Sequence, residues 1–150
     1  MKRWMPGIVI GLSLFVINVA ARIVVDVSGQ GDDVDAEFTV GLYATIAMGV
    51  VAAVGGAWWA VRKPVEHVIA ELGLGLVGGV LLAVFIGPLI VGLNPFAGAE
   101  WLVMQIVFFA VVSGLGAFVG FLMVMMFGAD YRSKHLKRVE RHYGKQKSRR

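Results

Sequence analysis

Four long apolar segments constrain the fold of this chain more than any other feature. They cover residues 4–25, 38–61, 72–93 and 101–127. A helix needs about 20 apolar residues to cross a hydrocarbon core of about 30 Å, and all four segments reach that length. In hydrocarbon each segment must satisfy its own backbone hydrogen bonds, which favours helix over an isolated strand. The sequence therefore predicts an all-α, polytopic membrane protein with four transmembrane helices.

The composition agrees with this fold class. The chain has 150 residues, of which 58 % are hydrophobic and 16 % charged, whereas soluble domains carry about 25 % charge. This length is enough for one domain. Cysteine is absent, which excludes disulfides, Cys-ligated zinc, iron–sulfur clusters and thiol nucleophiles.

The uneven placement of charge predicts the orientation. Region 26–37 holds five acidic residues and no basic one, whereas region 128–150 holds nine Lys or Arg. Further basic residues precede the first segment and separate the second from the third: Lys2, Arg3, Arg62 and Lys63. Lys and Arg in short loops stay on the cytoplasmic side, and short loops join antiparallel neighbours. We therefore expect an antiparallel bundle in the cell membrane, of the bacterial plasma membrane type, with both termini cytoplasmic.

The charge boundary also divides the chain into a transmembrane domain, 1–127, and a basic cytoplasmic tail, 128–150. If the tail is helical, Leu136, Val139 and Tyr143 share one face, and basic residues occupy the others. Such an amphipathic helix can lie on the inner leaflet and bind anionic lipid. Alternatively, its charges only hold the terminus inside. Without a base-reading fold, nucleic acid is not an expected partner. The candidate lipid contacts are Arg132, Lys134, Lys137, Arg138 and Arg141.

A polar stripe interrupts the first apolar segment. Asn18, Arg22 and Asp26 are four residues apart and share one helix face. Charge inside a bilayer is costly, so either Arg22 extends to the headgroups and pairs with Asp26, or it contacts a lipid, a solute or a partner subunit. Asn18 lies one turn deeper, and we expect it to hydrogen-bond another helix. With Gln105 of the fourth segment, these three are the candidate binding residues.

The third segment is preceded by Pro64, Glu66, His67 and Glu71. His67 and Glu71 are one helical turn apart and could share a proton or a cation. No titratable residue follows deeper in that segment. We therefore interpret these residues as an interfacial helix start, since Pro and Glu both suit the first turn of a helix.

Small residues recur at four-residue spacing in every apolar segment, where they allow helix backbones to approach closely. Two interpretations remain open: packing within the four helices, or contact with another subunit. The stripes comprise Gly7 and Gly11; Gly41, Thr45, Gly49, Ala53 and Ala57; Gly75 and Gly79; and Gly116 and Gly120.

The first segment also has features of a secretory signal. Lys2 and Arg3 precede an apolar stretch that ends in small residues at 19–21. Arg22 directly after the cleavage position argues against processing, and so does the length of the stretch. Cleavage would leave three transmembrane helices.

The chain carries none of the common catalytic or nucleotide-binding motifs. Its three histidines, His67, His135 and His142, lie at or beyond the predicted inner interface, so no pair of them could hold a haem at mid-membrane. We expect no catalytic residue, metal or cofactor. The expected function is a non-catalytic integral membrane subunit or accessory or assembly factor of a larger membrane complex. The alternative is a small homo-oligomeric transporter or channel for an anion or small polar solute.

Overall fold

The computed structural model describes residues 4–28, 34–94, 96 and 99–147, and all regular structure in these ranges is helical. Four of the five helices are long and apolar enough to cross a membrane. This confirms the predicted all-helical class and the expectation of four helices of membrane-spanning length and apolarity. The helices are α1 (Met5–Val27), α2 (Val34–Arg62), α3 (Val65–Ile90), α4 (Ala99–Met126) and α5 (Tyr131–Lys147).

Helix α3 begins seven residues earlier than the apolar segment on which it was predicted. Pro64 precedes it with φ −65°, and its carbonyl accepts the N–H groups of His67 (3.1 Å) and Val68 (3.3 Å). A proline at a helix start suits the first turn, where backbone N–H groups have no partner within the helix. The early start makes the polar stretch 65–71 helical and carries Glu71 two turns into α3.

Helices α3 and α4 both end on a glycine with positive φ, Gly92 (φ 73°) and Gly128 (φ 58°). In each case the glycine N–H and the next N–H return to carbonyls of the last turn. Leu93 N bonds Pro88 O at 3.0 Å, and Ala129 N bonds Val124 O at 3.1 Å. This Schellman geometry needs a left-handed residue, which glycine adopts without strain.

Helices α1 and α3 pack against each other through glycines. A Cβ on Gly79 would lie 2.8 Å from Gly11 Cα, and a Cβ on Gly11 would lie 2.8 Å from Gly75 O. Gly7 meets Gly75 in the same way. Residue numbers rise together along both helices, so α1 and α3 run in the same direction. The close approach replaces the hydrophobic driving force that lipid does not supply.

Helices α2 and α4 form the second close pair. Gly49 contacts Gly116, and Ala53 contacts Gly120, so this pair also runs in one direction. The most extensive helix contacts are therefore α2 with α4 and α1 with α3, and not those between consecutive helices. The short loops do not predict this pairing.

The bundle is apolar both inside and outside. Leu14, Met48 and Val84 are 1 % exposed or less, whereas large apolar side chains such as Val54 and Phe118 are more than half exposed on its surface. So much contiguous apolar surface suits hydrocarbon as the surrounding medium. We call the end of the bundle that holds Val27 and Gln105 the loop end, and the opposite end, with Arg62 and Asp130, the tail end.

Candidate binding sites at the two ends of the bundle

The polar stripe of α1 turns inward at the loop end. Arg22 Nε donates to Asn18 Oδ1 (3.0 Å), and Arg22 Nη2 donates to Gln105 Oε1 on α4 in a long contact (3.5 Å). Asn18 is 5 % exposed, and Arg22 is half-buried. We call these three residues the Arg22 cluster. The cluster brings together three of the four candidate binding residues and joins α1 to α4.

Helix α3 contributes a backbone wall to the Arg22 cluster. A Cβ on Gly87 would lie 2.9 Å from Asn18 Oδ1 and 3.2 Å from Arg22 Nε. The backbone of α3 therefore lies directly against the arginine, and a larger residue at position 87 would displace it. Spacing alone does not reveal this role, because it depends on the register of α1 against α3.

Asp26, the fourth candidate, is exposed and has no hydrogen bond or ion pair with Arg22. The expected Arg22–Asp26 pair is therefore not formed, because the guanidinium reaches inward to two amides. Asn18 likewise bonds Arg22 of its own helix, so Arg22, not Asn18, makes the interhelical bond. Among the described acidic residues, Glu37 of α2 is near enough for its charge to act on Arg22, without forming an ion pair with it.

A second polar cluster lies at the tail end. Glu71 is 1 % exposed, and its Oε2 accepts hydrogen bonds from Trp59 Nε1 (3.2 Å) and from Lys63 Nζ. The Lys63 side chain is 26 % exposed. We call these three residues the Glu71 cluster. It ties the end of α2 to the start of α3 with an ion pair at the edge of the apolar bundle.

The sequence did not indicate the Glu71 cluster. His67, one turn before Glu71, is exposed and makes no hydrogen bond to it, so the shared proton or cation considered for this pair has no support. Glu71 is also not an interfacial cap, because it is buried in the second turn of α3. One sequence feature could have indicated the cluster: only Lys63 and Pro64 connect α2 to α3, so Lys63 lies close to the first turns of α3.

Aromatic and basic side chains continue the tail end toward the surface. The Arg62 guanidinium carbon lies 4.3 Å from the centroid of the Trp58 ring, and Trp58 meets Trp59 edge-on with centroids 5.1 Å apart. The exposed Arg62 thus makes a cation–π pair with Trp58, and Trp58 contacts Trp59, whose ring donates to Glu71. Trp and Arg at the end of an apolar helix are typical of a membrane interface.

Helix α5 follows α4 after four residues and begins at Asp130, whose Oδ2 accepts the N–H groups of Arg132 (3.1 Å) and Ser133 (3.2 Å). This is a side-chain N-cap. Leu136 and Val139 are 56 % and 38 % exposed, so the apolar side of α5 is largely uncovered. Of the candidate lipid contacts, Arg132, Lys134 and Lys137 are exposed. Arg138 and Arg141 belong to α5, but their side chains lie outside the described ones.

A groove of about 220 Å³ runs between α1 and α3 on the outside of the bundle. Its floor is glycine, and its walls are apolar apart from Glu71, with Trp4 toward the tail end. Gly78, on the floor, has nothing within 4 Å of the position its Cβ would take. Gly11, Gly78 and Gly79 are among the glycines that line it.

Part of the predicted acidic loop lies outside the described residues, including Asp32 and Asp33. Among the residues that are described, no three His, Asp or Glu side chains are grouped closely enough to hold a metal ion.

Comparison with known proteins adds no relative. No protein-family model matches the chain, and neither a curated protein nor a solved structure matches it. The class that the fold defines is a multi-pass membrane protein with four candidate spanning helices.

Proposed function

We propose that this chain is a non-catalytic integral membrane subunit, or an accessory or assembly factor, of a larger membrane protein complex. The groove between α1 and α3 is the observation that carries this proposal. It is a glycine-floored surface that the four helices of the chain leave uncovered. A helix of another protein could approach the backbone closely there.

The other small-residue stripes support this interpretation by contrast. Gly11 and Gly79 face each other, as do Gly49 and Gly116, so internal packing accounts for them. Gly78 lies next to Gly79 in the sequence but points into open space. Gly41, Gly73 and Gly114 are also open, but of these four glycines Gly78 is the one that lines the groove, where a partner helix would gain van der Waals contact with the backbone.

The test is to fill the groove without disturbing the bundle. Gly78→Leu should leave the fold intact, because its Cβ meets nothing. It should also remove the partner from complexes that are extracted from native membranes in gentle detergent and weighed by native mass spectrometry. The proposal requires that wild-type protein give a hetero-complex of defined stoichiometry.

Two matched variants control this test. Gly114→Leu also places a side chain in open space, but on α4 and away from the groove, and it should keep the complex. Gly79→Leu should destabilise the chain itself, because its Cβ would collide with Gly11. Wild-type protein that is only monomeric, or a Gly78→Leu variant that retains the full complex, would contradict the proposal.

The proposal includes the topology expected from the sequence: an antiparallel bundle in the cell membrane with both termini cytoplasmic. The tail end would then face the cytoplasm, where α5 would bind anionic lipid headgroups. Support comes from the exposed basic side chains of α5, its uncovered Leu136 and Val139, and the Trp58–Arg62 pair at the same end. About 1 kcal/mol of binding is expected for each basic residue near an anionic surface.

The alternative is a small homo-oligomeric transporter or channel for an anion or small polar solute. The Arg22 cluster favours it, because a half-buried guanidinium suits an anion. Below the cluster, however, Leu14 and Val84 are almost fully buried and fill the core, so a route would have to lie between copies of the chain. Solute flux in liposomes that Arg22→Ala abolishes would support this function over the first.

A further inference from the structure

Arg22 has more hydrogen-bonding capacity than its neighbours use. A guanidinium has five N–H donors; the Nε group and one Nη2 group of Arg22 have partners, which leaves three without one among the described residues. Both partners are neutral amides, and no carboxylate within the described chain forms an ion pair with Arg22. Within the described residues its positive charge therefore lacks a direct counter-ion.

The position of Arg22 limits what the missing partner can be. The residue lies five positions before the end of α1, which is about 7.5 Å of helical rise. A ligand that reaches Arg22 therefore approaches from the loop end of the bundle. Because Nε is held by Asn18 and the side chain is half-buried, the planar Nη groups are already oriented before any ligand arrives.

We propose that the Arg22 cluster is a binding site for a phosphate group, with the Nη groups of Arg22 donating to two phosphate oxygens. The fork of an arginine matches phosphate in this bidentate way. Gly87 keeps the α3 side of the site free of a side chain. The phosphate comes from a phospholipid headgroup or from free phosphate, and the experiment below separates these sources.

Among the described acidic residues, the charge of Glu37 on α2 acts on Arg22. Glu37 is exposed and makes no direct ion pair with Arg22, so it lowers the local positive potential without occupying the Nη donors. Removing this charge with Glu37→Gln should strengthen phosphate binding. Phosphate binding that stays unchanged in Glu37→Gln would contradict an anion site at Arg22, because a phosphate bound there would no longer be repelled by this carboxylate.

The test uses the purified, delipidated chain and two lipids with the same acyl chains. Dioleoylphosphatidylcholine carries a phosphate but no net charge, so the basic side chains of α5 do not attract it electrostatically. Dioleoylglycerol has the same acyl chains and no phosphate. Wild-type protein should retain phosphatidylcholine in native mass spectrometry and unfold at a higher temperature with it, whereas dioleoylglycerol should do neither. Arg22→Gln should bind phosphatidylcholine about tenfold more weakly, because it loses charge-assisted hydrogen bonds.

Thr39→Val is the control, since it changes an exposed polar side chain at the same end of the bundle that does not contact Arg22, and it should bind like wild type. If Arg22→Gln does not fold, Arg22→Lys keeps the charge without the fork and should still bind several-fold more weakly. If inorganic phosphate raises the unfolding temperature and displaces phosphatidylcholine, the ligand is the free ion. If only the lipid raises the unfolding temperature, the ligand is the phospholipid headgroup. Equal binding of the two lipids, or equal binding by both Arg22 variants and wild type, would overturn the site. The measurement needs no partner protein, so it is independent of the proposed function.

Discussion

Glu71 and Lys63 differ in exposure although they share one hydrogen bond. Glu71 is 1 % exposed, whereas the Lys63 side chain is 26 % exposed and lies closer to water. Removing one partner of a buried ion pair weakens the compensation of the charge that remains. The penalty is larger when the remaining charge is the more deeply buried one, so the two residues should not tolerate substitution equally.

We therefore expect Lys63→Met to destabilise the protein by about 3 kcal/mol and Glu71→Gln to destabilise it less, because Gln can still accept from Trp59. Thermal unfolding in detergent micelles measures both. His67→Ala, which changes an exposed neighbour without a bond to Glu71, should unfold like wild type. A Lys63→Met variant as stable as the His67 control would show that the ion pair contributes nothing.

At the scale of a single element, α5 depends on one cap for its start. Asp130 satisfies two backbone N–H groups of its first turn, and α5 has little contact with the bundle, mainly with α2. Asp130→Ala should weaken the helix by about 1 kcal/mol. Amide hydrogen exchange over residues 131–136 should then accelerate severalfold. Asp130→Asn keeps the accepting oxygen and should leave amide exchange over residues 131–136 as slow as in wild type. If exchange is also unchanged in Asp130→Ala, the Asp130 cap does not stabilise the start of α5.

At the scale of the whole molecule, the two ends of the bundle should face different compartments. The chain has no cysteine, so single cysteines report accessibility without background. In intact cells a membrane-impermeant maleimide should label Ser28→Cys and Asn94→Cys at the loop end. His67→Cys and Lys134→Cys at the tail end should react only after permeabilisation. Labelling of all four positions from the same side would refute the topology.

Sequence alone predicts the parts of this molecule that depend on local composition. Apolar length predicts the four spans, and four-residue spacing places Asn18 and Arg22 on one face. It does not predict that Arg22 reaches Gln105, because that contact depends on how α1 lies against α4. It also misses the burial of Glu71, since a carboxylate near the end of an apolar segment looks interfacial until the link at Pro64 folds Lys63 onto it.

The pairing of α1 with α3 and of α2 with α4 has a consequence for biogenesis. Each span finds its tightest neighbour only after an intervening span has been made, so the first two helices that leave the ribosome can insert but cannot complete their packing. Gly11 can pack against Gly79 only after α3 has been synthesised, and Gly49 can pack against Gly116 only after α4, the last apolar helix, has been synthesised. A ribosome stalled before α4 would therefore leave the glycine face of α2 open to lipid or to other nascent chains.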